Sequence, residues 1–147
     1  MKHADLPVLQ ACVRDYLQEG AVITLSPDLV KRTKYWVPIF PRAKKDSPKQ
    51  RLITDLRLLN QCAQAKPHKA QSWVHIMEVL RDQELSWALR IDLKSWFHHL
   101  GVHQNTKRWM RFRLGDHAYQ VESMPFGWSM SPWFANKMAK PLQGWLH

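Results

Sequence analysis

Residues 109–122 read Trp109-Met110-Arg111-Phe112-Arg113-Leu114-Gly115-Asp116-His117-Ala118-Tyr119-Gln120-Val121-Glu122. Apolar and polar side chains alternate through 109–114 and again through 118–122, the two-residue period of a half-buried strand. Gly115-Asp116 between the two runs is a two-residue turn signal, so the stretch predicts an antiparallel hairpin. A few residues later Ser131-Pro132 opens a helix expected to run to about Lys140, where Pro141 kinks or ends it.

Upstream, Leu6, Leu9, Val13, Tyr16 and Leu17 share one face of a helix over 6–19, and Gly20 stands at its stop. Ser26-Pro27-Asp28 starts a second helix, with Ser26 as cap and Pro27 at the first helical position. Tyr35-Trp36-Val37-Pro38-Ile39-Phe40 predicts a strand whose prolines demote it to an edge. The polar stretch 42–51 predicts a turn, and Leu52-Ile53-Thr54-Asp55-Leu56 the strand that returns from it, making a hairpin with a basic tip. A helix over 73–82 follows Ser72, and Trp87, Leu89 and Ile91 alternate along a strand that ends at Asp92. Strands and helices mix without regular alternation, which predicts an α+β fold rather than a doubly wound parallel sheet.

The 147 residues suit one unit, with no repeat or low-complexity linker to divide it. Lys and Arg number 22 against 12 Asp and Glu, a net charge of +10 that predicts anionic partners such as nucleic acid, nucleotides or acidic membrane. Eight Trp beside that charge suit stacking on bases, although most Trp side chains in proteins are core. Cys12 and Cys62, two thiols, do not make a disulfide framework or by themselves a four-ligand zinc site, and they suit a reduced intracellular compartment. No stretch approaches the ~20 apolar residues of a membrane span, and the first residues lack the apolar run of a signal peptide. The expected location is intracellular, cytoplasm or nucleus, and not secreted.

Three constellations carry chemistry. Lys44, Lys45, Lys49 and Arg51 crowd one turn, with Arg57 just beyond, and such cations suit a triphosphate; a basic loop by itself is more often only a solvated face. Asp92 projects from the expected strand end with Phe97 five residues later, and a carboxylate there can hold Mg²⁺ against a phosphate oxygen. Met124-Pro125-Phe126-Gly127-Trp128-Ser129 is a tight turn into a helix, where Gly127 lets a nucleobase approach the main chain.

In this order the three resemble the fingers and palm of a reverse transcriptase. Residues Arg51 to Asn60 (RLITDLRLLN) resemble the fingers motif, and Asp92-Leu93-Lys94-Ser95-Trp96-Phe97 the palm motif with its first catalytic aspartate. Met124 to Pro132 resembles the turn and helix that support the incoming nucleotide and template. Ser131-Pro132 after the glycine turn, and Phe97-His98-His99, point toward pararetroviral or tyrosine-recombinase retrotransposon relatives. The resemblance runs from about residue 6 to residue 146 and implies fingers with palm entry over about 1–85 and a partial palm over about 86–147.

What the resemblance implies is specific. Lys44 and Arg51 contact the β- and γ-phosphates of a deoxynucleoside triphosphate. Asp92 binds two Mg²⁺ ions, with the Leu93 carbonyl helping one. Phe97 lies under the sugar and excludes a 2′-hydroxyl, and Phe126 and Gly127 pack on sugar and base. Lys45, Lys49, Asp55, Arg57 and Asn60 touch or brace the RNA template or RNA–DNA hybrid.

Two departures shape the expectation. Trp96 stands where the family has a small residue, and its indole is expected to crowd the catalytic floor. The family's aromatic-x-Asp-Asp hairpin, source of the remaining catalytic carboxylates, does not occur before His147, and Asp116 and Glu122 belong to another hairpin. The chain alone is therefore expected to be inactive, and a further polypeptide segment is expected to cover the incomplete palm. The competing expectation is a non-catalytic nucleic-acid-binding or scaffold subunit derived from such an enzyme. His98, His99 and His103 are expected to have a structural or solvent role rather than to share a metal ion, since strand neighbours 98 and 99 would face opposite ways.

Overall fold

The predicted hairpin forms, but only its first strand keeps the half-buried alternation. The second is the middle strand of its sheet and is buried on both faces from Ala118 to Val121. In the computed structural model, which describes residues 5–43, 50–64, 66–67, 72–82 and 92–144, β4 (Arg111–Leu114) pairs antiparallel with β5 (His117–Val121) in a register that sets Leu114 opposite His117. Gly115 takes φ +59° at the first turn position, the left-handed conformation that a tight hairpin connection demands. Phe112 and Leu114 turn inward while Arg111 and Arg113 turn outward.

α1 (Leu6–Gln18) occupies the predicted span and buries Leu9, Cys12 and Val13. Its chain leaves through β1 (Val22–Thr24), which the sequence did not announce, because three residues are too few to show a period. β1 adds to β5 to complete a three-stranded sheet in the order β1-β5-β4. α2 (Pro27–Arg32) is capped as predicted, the Ser26 hydroxyl accepting from the Leu29 amide at 3.5 Å.

The strand expected at Tyr35–Phe40 lies further along. β2 runs Ile39–Ala43 and pairs with β3 (Gln50–Thr54), so Arg42 and Ala43, expected in a turn, are ladder residues opposite Arg51 and Gln50. Pro38 explains the shift: it has no amide hydrogen to extend a ladder, and only its carbonyl is used, accepting from the Asp55 amide at 2.8 Å. Val37 instead donates to the Arg111 carbonyl at 2.7 Å and ties the segment to β4. Pro41 is tolerated because β2 has a neighbour on one side alone among the described residues.

α3 (Arg57–Cys62), α4 (Trp73–Asp82), a 3-10 turn (Trp96–His99) and α5 (Gln104–Lys107) follow. α6 (Ser131–Gly144) continues through Pro141 rather than stopping at Lys140. The proline ring there removes one helical hydrogen bond, yet the backbone remains helical for three more residues. The strand expected at 87–91 lies outside the described residues.

α1 packs across both sheets. One apolar cluster joins Leu9 and Val13 to Leu52, Leu56, Met110, Phe112 and Val121, so the α+β class holds.

Candidate functional site

Four separate segments meet at one cleft of about 380 Å³. α1 contributes Asp15, Tyr16 and Glu19, the start of β3 contributes Gln50 and Arg51, and the loop 92–95 and Phe126 complete the wall with His98. Asp92, Leu93 and Arg51 are exposed, and Phe126 is half-buried in the turn after β5. The Arg51 guanidinium stands 5.5 Å from the centre of the Phe126 ring, a cation–π distance. Phe97 does not line the cleft; its ring meets Phe126 edge-on at 5.3 Å and supports it from behind.

Gly127 takes φ +93°, a conformation that requires glycine, while a side chain there would meet only the Thr54 carbonyl at 3.7 Å. The residue is thus needed for the turn itself. Asn60 holds that turn: its amide donates to the Gly127 carbonyl at 2.8 Å, and its carbonyl accepts from the Ser129 amide at 2.9 Å. The bond pair links the stretch Arg51–Asn60 to the stretch Met124–Pro132 across 67 and 69 residues.

Asp55 and Arg57 stand apart from the cleft. They form an ion pair at 2.6 Å and line a second cleft of about 290 Å³ with Tyr35 and Pro38. Hydrogen bonds from the Arg57 side chain and amide hold the Asp55 carboxyl below its usual range. Lys44, Lys45 and Lys49 lie outside the described residues.

The loop after Asp92 is fastened by a residue the sequence reading missed. Glu19, at the C-terminal end of α1, takes a hydrogen bond of 2.6 Å with His98 Nδ1 and accepts from the Ser95 hydroxyl at 3.4 Å. Ser95 has φ +51°, a left-handed backbone that costs energy for a side-chain-bearing residue and persists where its surroundings hold it. Asp15 and Glu19 are four apart and so share a helix face, which was legible, but nothing local says which loop that face meets. The His98 hydrogen bond, with the His98 charge and the Ser95 hydroxyl behind it, keeps the Glu19 carboxyl below its ordinary range. Burial pushes the Tyr16 hydroxyl up to about 12, so it faces the cleft as a neutral donor.

That direction fixes a sign. A carboxyl whose pKa is depressed by folding stabilises the fold above its unfolded pKa and loses the contribution as pH falls. Glu19→Gln should therefore be less stable than the unmodified chain at about pH 6, and the difference should shrink toward about pH 3. Urea unfolding of both proteins across that range checks it; a gap that stays constant would mean the carboxylate charge is irrelevant.

Trp96 does not crowd the cleft. Its ring is half-buried beside His99 at 6.4 Å and is not among the lining residues, because the 3-10 turn rotates it away. The histidines lie in that turn and the following segment rather than in a strand: His98 pairs with Glu19, His99 contacts the Lys94 carbonyl at 3.1 Å, and His103 caps α5. Among the described residues no three His, Cys, Asp or Glu side chains stand together to hold a metal ion.

The sequence profile of "Reverse transcriptase (RNA-dependent DNA polymerase)" matches residues 42–147. The chain belongs to the reverse transcriptase family. It is also similar to a "Putative enzymatic polyprotein" of Cassava vein mosaic virus, 22% identical over 134 residues, or 89% of this chain. The chain spans 20% of that relative's length. Of the pararetroviral and tyrosine-recombinase retrotransposon relatives toward which Ser131-Pro132 and Phe97-His98-His99 point, the similarity accords with the first. The reverse transcriptase match begins at the end of β2, so α1, with Asp15 and Glu19, lies ahead of it. Among the described residues of this reverse transcriptase segment no helix is long and apolar enough to cross a membrane.

Proposed function

We propose that the chain forms the fingers and part of the palm of an RNA-templated DNA polymerase, with the 380 Å³ cleft as its deoxynucleotide site. The observation that carries this reading is convergence. Arg51, Asp92 and Phe126, from three stretches far apart in sequence, line one cleft whose volume falls within the roughly 300–1,000 Å³ of small-molecule pockets.

Each residue then has a task. Arg51, joined by Lys44, holds the β- and γ-phosphates through a guanidinium fork suited to them. Phe126 carries the sugar and base on the turn that Gly127 makes possible, and Phe97, outside the wall, acts on the 2′-position through the Phe126 ring that it props. Lys45, Lys49 and Arg57 take the template, with Asp55 aiming the Arg57 guanidinium and Asn60 bracing the turn beneath. Asp92 and the Leu93 carbonyl offer oxygen donors of the kind Mg²⁺ prefers. They are a share of what two ions need, and the other carboxylates would come from a segment outside the described residues. When bound, Mg²⁺ would neutralise charge developing on the phosphates during in-line attack by the primer hydroxyl.

Equilibrium binding of a fluorescent deoxynucleoside triphosphate with Mg²⁺ to the 147-residue chain tests the reading. Arg51→Ala should weaken it by roughly tenfold or more, since hydrogen bonds to charged groups contribute about 1.5–3 kcal/mol. Phe97→Ala should narrow the preference for deoxy- over ribonucleotide. RNA binding without nucleotide binding would replace the proposal with a non-catalytic RNA-binding subunit.

A further inference from the structure

His98 joins three parts of the molecule at the cleft wall, with a side chain only 9% exposed. From α1, Glu19 Oε2 stands 2.6 Å from its Nδ1, and the Tyr16 ring meets it edge-on at 4.7 Å. From the turn after β5, the Phe126 ring meets it edge-on at 6.2 Å. Its own amide donates to the Ser95 carbonyl at 2.7 Å. An ionised carboxylate only accepts, so Nδ1 carries the hydrogen of the Glu19 bond and the ring is held in one orientation.

Nothing in α1 itself favours a carboxylate at Glu19. The residue is the C-cap, where the negative end of the helix dipole disfavours an acidic side chain, and the last turn has no basic residue beside it. Its partners come from another segment. Oε2 takes the His98 hydrogen and Oε1 accepts from the Ser95 hydroxyl at 3.4 Å, so one carboxylate grips the loop at two points. Ser95 is left-handed, with φ +51°, and such backbone persists where its surroundings impose it.

Ser95 lies three residues beyond Asp92 and two beyond Leu93, the proposed oxygen donors. Among the described residues the Asp92 carboxylate has no hydrogen bond or ion pair of its own, so the backbone beneath it sets its direction. That backbone is tied again at Lys94, whose carbonyl meets the His99 ring at 3.1 Å. Donors to a metal ion work when outer groups hold them in place.

We infer that Glu19 is a positioning residue for the proposed deoxynucleotide site: acting through His98 and Ser95, it fixes the loop that carries Asp92 and Leu93. It is not itself a donor to the ion, since both its oxygens are engaged within the wall. The inference rests on the site reading for what the loop presents. It gives α1, which precedes the family match at residue 42, a part in ordering the cleft.

The test pairs two measurements on the 147-residue chain. NMR relaxation of the unliganded protein gives backbone order parameters for Lys94 and Ser95. These should fall from about 0.85 to below about 0.6 in Glu19→Ala, while those of β4 and β5 stay unchanged. Binding of a fluorescent deoxynucleoside triphosphate is then measured with Mg²⁺ and with EDTA. Glu19→Ala should weaken binding in Mg²⁺ by roughly tenfold, the lower end of what outer partners of metal ligands contribute. In EDTA it should bind no more weakly than the unmodified chain, whereas a merely structural role would lose affinity under both conditions. Glu19→Gln, which leaves one carbonyl oxygen to accept from His98, should lie between. Far-UV circular dichroism matching the unmodified chain establishes that both variants fold. Unchanged order parameters, no loss in Mg²⁺, or equal losses with and without it overturn the inference. If the unmodified chain binds no nucleotide, the site reading fails and Glu19's part in it falls too; lowered order parameters would then leave Glu19 as a fastening of the loop alone.

Discussion

Asp92→Asn is expected to lower Mg²⁺-dependent primer extension by about 10³-fold or more, in a polymerase joining this segment to the family's aromatic-x-Asp-Asp hairpin. The substitution keeps the side chain's size and removes its charge. A metal ion stabilises transition-state charge by several kcal/mol, and at 1.36 kcal/mol per decade a loss of about 4 kcal/mol is roughly three decades. The fold should not suffer. Asp92 is exposed and makes no hydrogen bond or ion pair among the described residues. Affinity for RNA should stay within about twofold, because the residues proposed to take the template do not include this carboxylate. Extension by the variant within tenfold of the unmodified enzyme would remove Asp92 from the chemistry.

The second large effect concerns stability. Phe112→Ala should destabilise the chain by about 3–5 kcal/mol, the usual cost of emptying a phenylalanine site in a core. Phe112 is fully buried, stacks on Tyr119 at a ring distance of 5.4 Å, and belongs to the cluster that binds α1 to both sheets. For a domain of this size each kcal/mol moves the Tm by ~2–4 °C, so a fall on the order of 10 °C is expected. Arg113→Ala, next along the same strand but outward, supplies the comparison. It removes a guanidinium 4.3 Å from the centre of the Trp36 ring and should cost no more than about 1 kcal/mol. Thermal melts of the two variants giving equal shifts would mean that β4 does not face the core as described.

What could be read from sequence was local. The β4–β5 hairpin, α1 up to Gly20 and the Ser26 cap of α2 each depend on a period or a turn residue within a dozen positions. Physics of that range is written in the residues themselves. The position of β2 is not local in this sense, because whether Pro38 starts a ladder depends on what β3 offers across it. The three residues of β1 carry no period, and their pairing with β5 bridges about a hundred positions.

The same division holds for the site. Arg51, Asp92 and Phe126 were legible as residue types suited to a nucleotide, because charge and aromaticity are properties of the side chain. Their sequence also carried the reverse transcriptase resemblance. That they line one cleft, that Phe97 stands behind Phe126 rather than in the wall, and that Trp96 turns aside were decided by tertiary packing. So was Glu19's hold on His98 and Ser95 across 79 and 76 residues. A side chain's chemistry is intrinsic, whereas its neighbours are chosen by which faces bury together, and in this chain that choice is made by α1 lying across both sheets.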